Sequence, residues 1–236
     1  MSTPNEHLLI HTLPTPLAQV WTKTATMSDY RSKWRGLVEL QTVFYRYANA
    51  LMLSEYVYRH KKKQHIEDIL MSFDRPSMGH HHELFVHLCK YFANHPNEDL
   101  FFKPIGHWYQ NNKSSTIPLL QNLIKTRNDE QHESFLSPHE IVEIYQDYKE
   151  NLLRTLLSAT WLTEFRIFSV GSAYSDGTSY HGEVLFHVGS ATVLPEDGTW
   201  TPTLKSKLVY VCSTDGRMFL NISPFIHQSH QSSNLC

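Results

Sequence analysis

A chain of 236 residues that is 41% hydrophobic and 12% aromatic can build a sizeable core, as one large domain or two small ones. Its 21 basic and 23 acidic side chains give a pI near 6.8, which excludes the broad positive field of a non-specific nucleic-acid binder. No apolar run reaches the roughly 18 residues of a membrane-spanning helix, and the N-terminus has no basic segment followed by an apolar stretch, so the expected location is cytoplasmic, with no membrane partner.

Thr15 is placed to cap a short helix begun by Pro16, with Leu17, Val20 and Trp21 on one face. A longer helix follows, capped by Asp29 or Ser28. In it Trp34, Leu37, Val38, Phe44, Tyr45, Ala48, Leu51 and Met52 recur near the 3.6-residue period, up to about His60. The basic stretch Arg59, His60, Lys61, Lys62, Lys63 and His65 reads as a solvated helix terminus, because cations favour that end of the helix dipole. Ile66 to Phe73 reads as a shorter helix closed by Arg75-Pro76.

The next helix starts near Ser77, buries Leu84, Phe85, Leu88, Cys89 and Phe92, and stops around Asn94 to Pro96. Residues Pro96 to Ser115 are irregular but aromatic and read as a packed connection. Thr116 and Pro118 then open a helix whose apolar side, Leu119, Leu120, Leu123 and Ile124, runs into Arg127. Ser137, Pro138 and Glu140 spell a capping box for the helix that follows, with Ile141, Tyr145, Tyr148, Leu152, Leu156 and Ala159 on its core side.

Around Thr163 the period changes. Phe165 to Val170, His181 to Val188, Lys207 to Cys212 and Met218 to Ile222 read as strands, with Asp215-Gly216 as a tight turn between the last two. The expected fold class is α+β: an all-α bundle over 1–162, a small antiparallel β-sheet or partly open barrel over 163–226, and a polar, disordered tail over 227–236. Cys89, Cys212 and Cys236 have no paired spacing and read as buried or terminal thiols of a reducing compartment.

The segment Arg127-Asn128-Asp129-Glu130-Gln131-His132 carries the residue types that metal-independent RNA cleavage requires. When the 2′-hydroxyl attacks the adjacent phosphate, a proton must move and negative charge develops. Histidine, with an unperturbed pKa of about 6.5, suits the first task, and the planar, permanently charged arginine fork suits the second. Five steps of about 100° place Arg127 and His132 about 140° apart on a regular helix, so they share a site only if the helix ends or distorts near His132, or if a second motif approaches across an interface.

Arginine, a polar residue, three further residues and histidine together resemble the HEPN superfamily motif. Leu13-Pro14-Thr15-Pro16, Ala50-Leu51, Ser54-Glu55-Tyr56 and Arg75-Pro76-Ser77-Met78-Gly79 extend the similarity, in order, to a bacterial HEPN-like domain over about residues 8–162. The resemblance implies a helical domain that pairs with another so that two motifs line one cleft. RNA is then cut to a 2′,3′-cyclic phosphate, with Arg127 stabilising the phosphate, His132 transferring protons and Asn128 supporting them. It implies an RNA substrate, a homodimer, an antitoxin or defence-complex partner, and no cofactor or metal. The alternative it carries is a non-catalytic interaction subunit for a nuclease, kinase or helicase. The sequence departs from the pattern at Gln131 and Glu133, where many relatives have alanine or valine and then glycine, and Asp129, Glu130 and Glu133 make the motif acidic.

Other constellations are weaker. His82-Glu83 begins a zinc-protease pattern, but His87 follows His82 by five positions instead of four, so His80, His81, His82 and His87 read as a surface cluster. His139 has only its nearness to the motif in its favour. Trp200, Tyr210 and Phe219 read as core aromatics before they read as a base-stacking platform.

Overall fold

A computed structural model of the chain describes residues 4–96, 98–132, 137–191, 195–200, 204–213, 218–223 and 225–226, leaving the side chains at 4–6, 9 and 130–132 outside that description. The helices are α1 Pro4–Thr12, α2 Thr15–Thr26, α3 Tyr30–Tyr58, α4 Gln64–Met71, α5 Met78–Asn94, α6 Lys103–Asn112, α7 Thr116–His132, α8 Pro138–Ser158 and α9 Trp161–Glu164. The strands are β1 Phe165–Ser175, β2 Tyr180–Phe186, β3 Pro195–Trp200, β4 Val209–Ser213 and β5 Phe219–Asn221. The chain forms two compact units, one of Val20–Trp161 and one of Met1–Gln19 with Leu162–Cys236, so the α+β class holds. Residues 4–19 therefore group with the sheet, whereas the sequence pattern placed them with the helices. None of the described helices is long and apolar enough to cross a membrane.

In the helical unit, α3 begins where Asp29 accepts a hydrogen bond from Ser32 N at 2.8 Å, leaving one fewer orphan N–H in its first turn. Its core side meets an aromatic cluster. Phe44 lies 5.6 Å from Phe85 and 6.0 Å from Trp161, ring centre to ring centre, and Trp161 lies 6.2 Å from Trp108. At the start of α5, Ser77 Oγ accepts from His80 N while His80 Nδ1 accepts from Ser77 N at 3.0 Å, a capping box closed by histidine. The box expected at Ser137 forms with Glu140 and opens α8.

The stretch expected to be an irregular connection contains α6, which buries Ile105, Trp108 and Tyr109. Its start has no local side-chain cap. Instead Phe101 N and Phe102 N donate to the carboxylate of Glu55, at 2.7 and 2.9 Å, from the far end of α3. That carboxylate is 1% exposed, and burial raises its pKa while the two N–H donors and Arg59, 3.2 Å away, oppose the rise. Arg59 also bonds to the Asp99 carbonyl, and Lys61 pairs with Glu98 at 3.2 Å, so part of the basic stretch is fastened to the chain after α5. A Cβ on Gly106 would sit 2.7 Å from the Phe92 carbonyl carbon, which is why glycine occupies the point where α6 meets the α5 backbone.

In the other unit the strands lie in the order β3-β2-β1-β4-β5, every neighbouring pair antiparallel, with β3 and β5 at the edges. β3 escaped the sequence reading. Alternation puts Phe168 and Val170 of β1 with Val184, Trp200, Tyr210 and Cys212 in one buried cluster, while Ile167 and Ser169 are buried on the other face. Between Val170 and Ala173 the β1–β2 register shifts, and at this irregularity a Cβ on Gly182 would come within 1.9 Å of the Ser172 carbonyl oxygen. The N-terminal segment joins this unit through backbone bonds: Thr15 N to His187 O at 3.2 Å, Gly189 N to Leu13 O at 2.8 Å and a bridge between Pro14 and Val188. Val188 thus pairs beyond the end of β2.

Thr15 does not cap α2 as expected. Its Oγ1 is buried without a partner among the described residues, and the carbonyl of Pro14 takes the first helical bonds, from Leu17 N at 2.9 Å and Ala18 N at 3.1 Å. The expected turn at Asp215-Gly216 and the tail over 227–236 lie outside the described residues.

Candidate functional site

The motif occupies the last turns of α7. Ile117, Leu120, Leu123 and Ile124 are buried, and Arg127 continues that stripe as the residue four after Leu123 and seven after Leu120. The stripe pulls the arginine inward, so it is half-buried where Asn128 and Asp129 are exposed. Arg127 Nη1 donates to Asn128 Oδ1 at 2.9 Å, and its Nε is buried without a partner. Among the described residues no carboxylate forms an ion pair with it. Its charge is felt at Tyr148 of α8, whose hydroxyl pKa is pushed well up by burial and drawn down by the guanidinium.

α7 stays helical as far as His132, its final residue. The backbone positions of Arg127 and His132 therefore keep the separation of about 140° that five residues impose on a regular helix, and α7 does not distort to bring them together. The imidazole of His132, the side chains of Glu130 and Gln131, and residue Glu133 lie outside the described residues. His139 is exposed and faces Glu143, 3.5 Å away on the next turn of α8.

A groove of about 600 Å³ runs between α7 and α8. Leu123, Ile144 and Tyr148 contribute apolar surface, and Asn122, Asp147 and Asn151 are among its polar lining, which reaches Thr126, the neighbour of Arg127. The side chains of Asn122, Asp147 and Asn151 have no protein hydrogen-bond partner among the described residues.

Beneath the motif, the interior contains a polar chain that the sequence did not suggest. Gln41 of α3, fully buried, donates to the Leu120 carbonyl of α7 at 3.1 Å and to Tyr45 Oη at 3.2 Å, and its carbonyl accepts from the Tyr148 hydroxyl. Tyr45 Oη is 3.0 Å from His82 Nδ1. Burial lowers the His82 pKa to about 4, so the ring is neutral at pH 7 and can share a proton with the phenol in either direction.

The histidine cluster separates into individual structural duties. His80 closes the α5 cap, His81 is buried edge-on against Phe73, His82 joins the polar chain, and His87 lies 4.8 Å from His65, ring to ring. Among the described residues, no three His, Cys, Asp or Glu side chains converge as metal ligands.

In the sheet unit Trp200 and Tyr210 are buried and Phe219 packs 6.0 Å from Phe168, so these aromatics are core. An Asp-His-Thr chain lies nearby, with Asp176 Oδ2 2.8 Å from His181 Nε2 and His181 Nδ1 3.1 Å from Thr199 Oγ1. Its other carboxylate oxygen accepts from Ser179 N and Thr178 N, and these bonds hold the Asp176 carboxyl far below the usual range. The arrangement fastens the β1–β2 turn to β3. No family model, curated protein or solved structure matches the chain.

Proposed function

We propose that the helical unit is an RNA-cleaving module of the HEPN type that works as a pair of chains, in the setting of bacterial defence or a toxin-like system. The observation that supports this reading is the Arg127 guanidinium, half-buried, unneutralised by any described carboxylate and steered by Asn128 Oδ1. A guanidinium held this way keeps N–H donors for two phosphate oxygens and loses little conformational entropy in gripping them. The nucleophile is the substrate's own 2′-hydroxyl: it attacks phosphorus, the 5′-oxygen leaves, and a 2′,3′-cyclic phosphate remains. His132 moves the proton. Because α7 keeps Arg127 and His132 on different sides, each cleft takes its arginine and histidine from facing chains.

The test is incubation of the pure protein with single-stranded and transfer RNA in chelator, beside Arg127→Ala and His132→Ala. Cleavage to cyclic-phosphate ends, lost by about a hundredfold or more in both variants, is the expected result, since a positioned general acid or base alone contributes about that much. Equal amounts of intact RNA with all three proteins at neutral pH sink it.

A second reading, a non-catalytic subunit that binds a nuclease, kinase or helicase, draws on the exposed carboxylates Asp129, Glu143 and Asp147 along α7 and α8. Such a surface repels an RNA backbone and suits a basic protein face. It becomes the better reading if RNA stays intact and the chain is recovered in a stoichiometric complex.

A further inference from the structure

The groove between α7 and α8 sets apolar and polar side chains side by side along its lining. Its volume, about 600 Å³, lies within the usual range for small-molecule sites, roughly 300–1,000 Å³. Apolar surface comes from Leu123, Ile144 and Tyr148; on the polar side Glu143 faces His139 at 3.5 Å, which leaves Asp147 as the carboxylate of the lining that, like Asn122 and Asn151, has no protein partner among the described residues. Arg127 follows directly after Thr126, which also lines the groove.

We propose that this groove is a nucleobase pocket selective for guanine, which places a guanine nucleotide's base between α7 and α8 and its phosphate at Arg127. The inference rests on the ribonuclease reading for its phosphate anchor and adds the base preference. An ionised carboxylate is a pure acceptor. Among RNA bases only guanine offers two adjacent N–H donors, N1 and N2, on its Watson–Crick edge, so one carboxylate can accept both. Adenine and cytosine present a single amino group beside an acceptor, and uracil a single N–H between acceptors. Bases read in this manner are unstacked, single-stranded ones, held by edge hydrogen bonds against apolar or aromatic surface. The Asn122 and Asn151 amides, each both donor and acceptor, complement the O6 and N7 side of the same base.

Calorimetric titration of the full chain with GMP, AMP, CMP and UMP tests this. GMP should bind tighter than the other three by about tenfold or more, the usual worth of a bidentate base contact. Asp147→Asn should abolish that preference, bringing GMP to within about twofold of the other three, and Arg127→Ala should weaken all four together. Circular dichroism checks that the variants fold. Four equal affinities, no binding below millimolar concentration, or an undiminished GMP preference in Asp147→Asn would overturn the proposal. Because binding is read without cleavage, GMP selectivity in a protein that leaves RNA intact removes only the nuclease reading, and cleavage without base preference removes only the pocket.

Discussion

In the helical unit Gln41 bonds to groups on α3, α7 and α8, and through Tyr45 its chain reaches α5, whereas in the sheet unit the buried Ser169 hydroxyl meets one ring, His187, at 3.0 Å. Helices slide and rotate against one another with little change in apolar area, so a shared polar hub gives the bundle a single register. A sheet has that register already in its backbone ladder. Its side-chain polar contacts can stay between immediate neighbours, as in the Asp176 turn and the Ser169–His187 pair. The bundle's specificity is thereby concentrated in a few buried atoms, and the sheet's is spread along its strands.

The largest effect is expected where that concentration is greatest. Gln41→Leu strands the Tyr148 hydroxyl and takes one of two partners from Tyr45 Oη and from the Leu120 carbonyl, and should cost about 2–4 kcal/mol. Fluorine-labelled tryptophan resolves the site of the damage, since Trp21, Trp34, Trp108 and Trp161 belong to the helical unit and Trp200 to the sheet. The urea midpoint of the first four signals should fall while that of Trp200 holds. Equal falls would break the contrast.

The sheet should prove most sensitive in its backbone. Gly182→Ala drives a methyl group into the Ser172 carbonyl and forces β1 and β2 apart at the register shift, at a cost of about 1–3 kcal/mol. Here the Trp200 midpoint should move and the helical signals should not. A silent Gly182→Ala would mean that the irregularity relaxes freely and contributes little to the sheet.

The smallest effect is a difference in acid response. Burial lowers His81 and His82 in the helical unit, and His187 in the sheet, to about 4. The unfolded chain, with histidines near 6.5, binds protons first as pH falls, so stability is complete above about 6.5 and drains away toward 4. His87, lowered by burial as well, adds a third ring to the helical unit against the sheet's one, which predicts a steeper loss for the helical unit across that window, measurable as urea midpoints at half-unit pH steps. Parallel curves for the two units would contradict it.

Long helices with local start signals were legible in the sequence, because Asp29, Ser77 and Ser137 act within three residues of themselves. α6 was not, since its cap comes from Glu55, 46 positions before Phe101. β3 was hidden for a different reason: Pro195, Glu196, Asp197 and Gly198 form a turn-like string, and of its residues Trp200 alone is buried. At the candidate site, the apolar side of α7 leading into Arg127 was legible, but the half-burial of the arginine itself was not. The bond between Tyr148 and Gln41 spans 107 residues, and no local pattern marks such partners. The groove was equally invisible, since it belongs to the spacing between α7 and α8 and to neither helix alone.

The edge position of β3 has a consequence for how copies of this chain meet at high concentration. An unpaired strand normally invites another extended segment to add to it, which is the first step toward fibres. Here the described edge begins with Pro195, which has no N–H to offer, and continues with the exposed carboxylates of Glu196 and Asp197. A second copy laid antiparallel along it would bring like charges face to face. At the opposite edge, β5 is only three residues long, too short to template an added strand. Growth of cross-β aggregates from the folded sheet is thereby disfavoured at both ends.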